Sequence, residues 1–135
     1  MRLTEPTLLI ADDDRDFRES LGEVFRRRGY RTQLAADGRE AVEIVQSSSE
    51  LHLALLDVHM PRLTGLQALS QIRQLIACSL PCILMSGKLD ESIVREARAL
   101  ETASVLSKPF TLRDITSMVE TVLRDSYGWN GHKSL

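Results

Sequence analysis

Four polar groups at the ends of apolar runs carry whatever chemistry this chain can do. Asp12-Asp13-Asp14 begin where the run Thr7–Ala11 stops, Asp57 closes the run His52–Leu56, Ser86-Gly87 follow Pro81–Met85, and Lys108-Pro109 follow Ala103–Ser107. A carboxylate at the end of a buried segment costs solvation free energy that a core alone gives no reason to accept. If these runs are neighbouring strands, the carboxylates of Asp12, Asp13 and Asp57, the Ser86 hydroxyl and the Lys108 ammonium meet at one edge. Carboxylates crowded there repel one another. A hard divalent cation relieves that repulsion, and Mg²⁺ accepts a site of one or two carboxylates, several waters and a phosphate. Lys108 adds a second positive charge, and Ser86 with the small Gly87 leaves room for a tetrahedral oxyanion. Such a set suits holding a phosphoryl group on an aspartate.

The elements that must position these groups are legible in the apolar pattern. Tyr30–Ala35 joins the four runs above as a fifth β-compatible segment, and three of the five are nearly continuously apolar, as strands buried on both faces require. Between them lie stretches of helical period. The first, Arg15 to Arg28, puts Phe17, Leu21, Val24 and Phe25 on one stripe and stops at Gly29. The second opens after Asp37, with Glu40 placed for a capping box, and faces inward with Ala41, Val42, Ile44 and Val45. The third opens near Thr64 with Leu66, Leu69, Ile72 and Ile76, and the fourth near Asp90 with Ile93, Val94, Ala97 and Leu100. The fifth opens at Thr111, with Leu112, Ile115, Val119 and Val122 facing inward, and ends near Asp125. Five βα units predict an α/β fold: a five-stranded parallel sheet with helices on both faces, (βα)5, flavodoxin-like and doubly wound. In such sheets ligands bind outside the carboxyl ends of the strands.

In order along the chain, Ile10-Ala11-Asp12-Asp13-Asp14, Leu56-Asp57-Val58-His59-Met60-Pro61 with Gly65, Leu84-Met85-Ser86-Gly87 and Ser107-Lys108-Pro109-Phe110 resemble the motifs of the response regulator receiver domain. The resemblance covers about Thr7 to Arg124. It implies that Asp57 accepts a phosphoryl group from a sensor histidine kinase or a histidine phosphotransfer protein in a two-component system or phosphorelay. It further implies that Asp13 and Asp57 ligate Mg²⁺ directly, that Asp12 acts through water, and that the backbone carbonyl of His59 completes the protein's share. Ser86, Gly87 and Lys108 would form the phosphoryl-binding switch, and the bond before Pro109 would be cis. The chain would catalyse only its own phosphorylation and dephosphorylation. A downstream protein would be read by the face of the fourth helix, fifth strand and fifth helix. Asp14 reads instead as a helix cap or solvated acid, the His59 side chain as exposed and without chemical duty, and His52 and His132 as carrying no signal.

Some features depart from that pattern. Where many receivers carry an aromatic switch residue this chain has Val105, and where a glycine would end the fourth helix it has Glu101-Thr102, which predicts a less sharp helix end. Residues 1–125 are expected to form the receiver and 126–135 a short tail, with no output domain after the last helix. Other readings compete. Asp12-x-Asp14 is similar to the aspartyl-phosphate motif of haloacid-dehalogenase-type phosphatases, with Asp12 as nucleophile, but Asp57, Ser86 and Lys108 fit the receiver better. The same fold could also serve as a phosphate shuttle or as a phosphate-independent binding module.

Composition bounds the rest. At 135 residues and a formal net charge of -2, the chain suits one domain and has no general attraction to nucleic acid or anionic membrane. No apolar run approaches a membrane span or a secretory signal, which predicts a cytoplasmic protein. Cys78 and Cys82, without a histidine cluster nearby, read as reduced thiols.

Overall fold

The computed structural model describes residues 5–48, 50–75 and 80–129. Ile76, Cys78 and His132 lie outside these residues. Ten elements alternate: β1 (Thr7–Ala11), α1 (Arg15–Arg27), β2 (Arg31–Ala35), α2 (Gly38–Ser47), β3 (Leu53–Asp57), α3 (Gly65–Leu75), β4 (Cys82–Ser86), α4 (Glu91–Ala99), β5 (Ser104–Ser107) and α5 (Leu112–Tyr127). The strands pair in parallel in the order β2-β1-β3-β4-β5. The chain winds outward from β1 in both directions, so the switch point lies between β1 and β3, at the ends that carry Asp12 and Asp57.

Strand alternation divides the core. Leu9, Ala11, Ala54, Leu56 and Leu84 face α2, α3 and α4, whereas Leu8, Ile10, Leu55, Ile83 and Met85 face α1 and α5. Every residue of β1, β3 and β4 is buried, which explains their continuous apolar runs. Helix starts follow local chemistry. The side chains of Asp14, Asp37, Asp90 and Thr111 accept from the backbone N–H groups of Phe17, Glu40, Ile93 and Asp114. Thr111 and Asp114 complete a capping box, but the Glu40 carboxylate accepts from Ala36 N–H, one residue before the cap.

Two further expectations are corrected. Leu112 does not face inward but is 56% exposed. α5 starts past the carboxyl end of β5, and helical side chains lean toward the helix N-terminus, so the first turn projects beyond the sheet edge. α5 ends near Asp125 as expected, its last residue being Tyr127, and Gly128 follows at φ 70°. Trp129 beyond it is buried against Tyr30, whereas Ser126, Tyr127 and Gly128 are exposed.

The other correction is at the end of α4, which stops sharply without glycine. Glu101 takes the left-handed conformation itself, φ 57°. Arg73 holds the turn, its guanidinium donating to the carbonyls of Leu80 at 2.7 Å, Leu100 at 3.0 Å and Glu101 at 3.3 Å. A side chain in that conformation costs about 1 kcal/mol, part of which glycine's greater freedom in the unfolded chain offsets. Glu101→Gly should therefore raise the unfolding free energy by about 0.5–1 kcal/mol in urea denaturation. A loss of stability would show that the Glu101 side chain contributes more than its backbone costs.

Candidate functional site

β1, β3, β4 and β5 end side by side and deliver their last side chains to one edge. Asp12 follows β1 and is fully buried, Asp57 ends β3 and is 5% exposed, and Asp13 is exposed. Carboxylate oxygens of these three residues lie within 4.8 Å of one another. Lys108 reaches in from the end of β5, its Nζ 2.6 Å from Asp12 Oδ2 and 3.4 Å from Asp57 Oδ1. The other Asp12 oxygen accepts from Asp14 N–H at 2.9 Å, and Arg18 Nη1 donates to the Asp12 carbonyl at 2.7 Å. α1 is thereby tied to the end of β1 on both sides of the acidic turn.

The electrostatics follow from this crowding. Burial and then the neighbouring Asp12 charge push the Asp57 carboxyl up from 3.8 to about 6, against the pull of Lys108. Burial disfavours the Lys108 ammonium, but its bonds to Asp12 and Asp57 prevail and hold its pKa above the ordinary value. One ammonium among three carboxylates leaves the edge negative, and a donor set of carboxylate oxygens alone is the chemistry that Mg²⁺ prefers.

The surrounding loops leave space. The Cβ that a side chain would add at Gly87 meets nothing within 4 Å, so the edge stays open beside Ser86. Gly65 is required by close approach, since a Cβ there would stand 2.3 Å from the Asp57 carbonyl oxygen. Ser86 is buried, and its hydroxyl is engaged by its own loop: it donates to Lys88 O at 2.9 Å and accepts from Lys88 N–H at 3.1 Å. The structure thus gathers Asp12, Asp13, Asp57 and Lys108, and leaves the Ser86 hydroxyl turned toward Lys88. His59 stands two residues beyond Asp57 with its side chain exposed, and Asp14 caps α1. Val105 is half-buried against the α2–α4 side of the core. The Lys108–Pro109 peptide is cis.

Other residues near the site or far from it have roles that sequence alone did not assign. Lys108 Nζ sits over the Phe17 ring, 4.3 Å from its centroid, and Phe110 meets Phe17 edge-on at 5.8 Å. Phe17 belongs to an amphipathic stripe, so its spacing reads as core. At the opposite end of the sheet, His52 Nδ1 accepts from Thr7 N–H at 3.0 Å and the His52 carbonyl accepts from Tyr127 OH at 2.8 Å. Both contacts span many residues of sequence and leave no local pattern. Cys82 is free and buried.

A five-stranded parallel sheet in the order β2-β1-β3-β4-β5, with an acid triad and a lysine ammonium at its switch point, defines a doubly wound α/β domain with its polar site at the carboxyl edge. The sequence matches the response regulator receiver domain over residues 8–120, and the chain belongs to that family. It is 34% identical over 119 residues to the response regulator MprA of Mycolicibacterium vanbaalenii, an alignment covering 87% of this chain and 50% of that protein. MprA of Mycobacterium ulcerans is 35% identical over the same share of each chain. The chain thus spans about half the length of the curated relatives it matches. Among solved structures, a CheY-like receiver domain protein of Methanospirillum hungatei superposes with a TM-score of 0.85 at 21% identity, covering 90% of this chain and 95% of that one. TrrA of Thermotoga maritima, solved in complex with Mg²⁺ and beryllium fluoride, gives 0.77 at 25% identity over 87% of this chain and 99% of that one. The protein is accordingly a response regulator receiver domain of two-component signalling. No helix among the described residues is long and apolar enough to cross a membrane.

Proposed function

We propose that the protein takes a phosphoryl group onto Asp57 from a sensor histidine kinase or a histidine phosphotransfer protein in the cytoplasm, and that the modification changes partner binding. The observation that carries this reading is the buried Asp57 carboxylate with Lys108 Nζ at 3.4 Å and two further carboxylates beside it. Asp13 and Asp57 would hold Mg²⁺ directly, Asp12 through water, with the backbone carbonyl of His59 as a further donor. Mg²⁺ supplies charge neutralisation and a template for phosphoryl oxygens. In the transfer, an Asp57 oxygen forms the new bond to phosphorus while the bond from phosphorus to the donor's imidazole nitrogen breaks, and that nitrogen keeps the electron pair and takes a proton. Lys108 neutralises charge on the phosphoryl oxygens in transit, and Ser86 with the open space at Gly87 receives them. The solved beryllium fluoride and Mg²⁺ complex of Thermotoga TrrA supports the assignment by analogy. Incubated with acetyl phosphate and Mg²⁺, the chain should gain the mass of one phosphoryl group, and chelator should abolish the gain without unfolding the domain. A chain that gains no mass refutes the reading.

The output follows from the same atoms. Phosphorylation replaces one negative charge with about -1.5 to -2. A hydrogen bond to that anion draws the Ser86 hydroxyl away from Lys88, releasing the Lys88 backbone groups it now satisfies. Val105 is too short and stiff to fill the vacated space as an aromatic ring would. The change should therefore pass through the Gly87–Asp90 loop to the start of α4, where Leu89 is 37% exposed and Val94 lies beside Arg95 and Arg98. The α4–β5–α5 face is then the surface a downstream protein reads. Backbone NMR with beryllofluoride should show large shifts across Gly87–Asp90. Shifts confined to the neighbours of Asp57 would favour a phosphate shuttle, the reading that Val105 also suits.

A further inference from the structure

We propose that Phe17 is a positioning residue for phosphoryl transfer, its ring face holding the Lys108 ammonium in register with Asp57. The inference rests on the assignment of Asp57 as phosphoacceptor. Lys108 Nζ lies 4.3 Å from the Phe17 centroid, well inside the range where a cation is attracted to the negative face of an aromatic ring. The lysine carries a flexible stem, and ordering it at the moment of reaction would cost rotamer freedom. Its two carboxylate partners cannot supply that order alone. The shorter contact, 2.6 Å, is to Asp12, and the contact to Asp57 is 3.4 Å, so charge attraction by itself draws the ammonium toward Asp12. A ring face is indifferent to which carboxylate is approached. It confines the ammonium to a position from which it can turn to an oxyanion on Asp57 without leaving its support.

The ring is itself fixed from two sides. Asp14 caps α1 by accepting from Phe17 N–H at 3.2 Å, which sets the backbone from which the ring projects. Phe110 meets the ring at an interplanar angle of 70°, and Phe110 follows the Lys108–Pro109 pair. The residue that carries the ammonium and the residue that supports the ring thus lie in one short segment after β5. Arg18, beside Phe17 in sequence, ties the same helical turn to the Asp12 carbonyl. Preorganised charge of this kind acts on the transition state because it need not be arranged during the reaction.

The competing explanation is that Phe17 only fills space, since it packs against the α1–α5 side of the core. Phe17→Leu keeps an apolar side chain and removes the ring face, while Phe17→Tyr keeps the ring. With acetyl phosphate as donor and saturating Mg²⁺, Phe17→Leu should slow mass gain about fivefold and weaken beryllofluoride binding to a similar degree. Its Mg²⁺ affinity should match that of the unmodified sequence, and Phe17→Tyr should react within twofold of it. Equal rates for Phe17→Leu and the unmodified chain would overturn the inference, as would equal slowing by Leu and Tyr. A failure of the unmodified chain to gain mass at all would instead overturn the phosphoacceptor assignment beneath it.

Discussion

Asp57→Asn should abolish acetyl phosphate labelling and, in metal-free buffer at pH 8, stabilise the fold by roughly 2–3 kcal/mol. The loss of labelling follows because the amide keeps the shape of the carboxyl and lacks the nucleophile. The stability gain follows from where Asp57 sits. Burial and then Asp12 raise its carboxyl from 3.8 to about 6, so the folded state prefers the protonated form. A group whose folded pKa is raised contributes stability fully present below its unfolded value and lost as pH climbs through the folded one. Between about pH 4 and pH 6 the native protein therefore loses stability that Asp57→Asn, having no proton to release, retains. At 1.36 kcal/mol per pH unit, the interval sets the size of the gain and corresponds to a Tm rise on the order of 10 °C. Thermal melts of both proteins in chelator across pH 4 to 8 should diverge above pH 4, and Mg²⁺ should narrow the gap. A gap of equal size at pH 4 and pH 8 would locate the effect in packing rather than charge.

Most of this frame was legible because site and fold share one cause. Strands buried on both faces are apolar throughout, so a charged residue at their ends is conspicuous, and Asp12, Asp57 and Lys108 could be placed at one edge before any coordinates. Helix starts were legible at Asp37, Asp90 and Thr111 because caps act within three residues. What escaped depends on tertiary context. Glu101 adopts a left-handed conformation because Arg73, from another helix, holds the turn's carbonyls. Leu112 has the spacing of a core residue and projects past the sheet edge. Ser86 is marked by its place after β4, yet the direction of its hydroxyl depends on a bond with Lys88. Phe17 serves core and lysine at once, and one stripe of helical period cannot report both.

The metal prediction separates the three acids, which sequence presents as near equals. Asp13→Ala should weaken Mg²⁺ binding at least tenfold, about 1.4 kcal/mol, while leaving the fold as stable or slightly more so. Asp13 contributes a carboxylate to the metal group but is exposed, so little of the fold rests on it, and its loss removes a negative charge that contributes to raising the Asp57 carboxyl. Asp12→Ala should instead weaken Mg²⁺ binding and destabilise the fold together. Asp12 is fully buried, pairs with Lys108 at 2.6 Å and accepts from Asp14 N–H, so its removal strands a half-buried ammonium and opens the turn into α1. Calorimetric Mg²⁺ titration paired with urea denaturation distinguishes the two variants. Fluorescence of Trp129 would not, because that ring packs on Tyr30 at the far end of the sheet. Unchanged Mg²⁺ affinity in Asp13→Ala would remove it from the metal site. A destabilisation matching that of Asp12→Ala would make its role structural, holding the loop that Asp14 already caps.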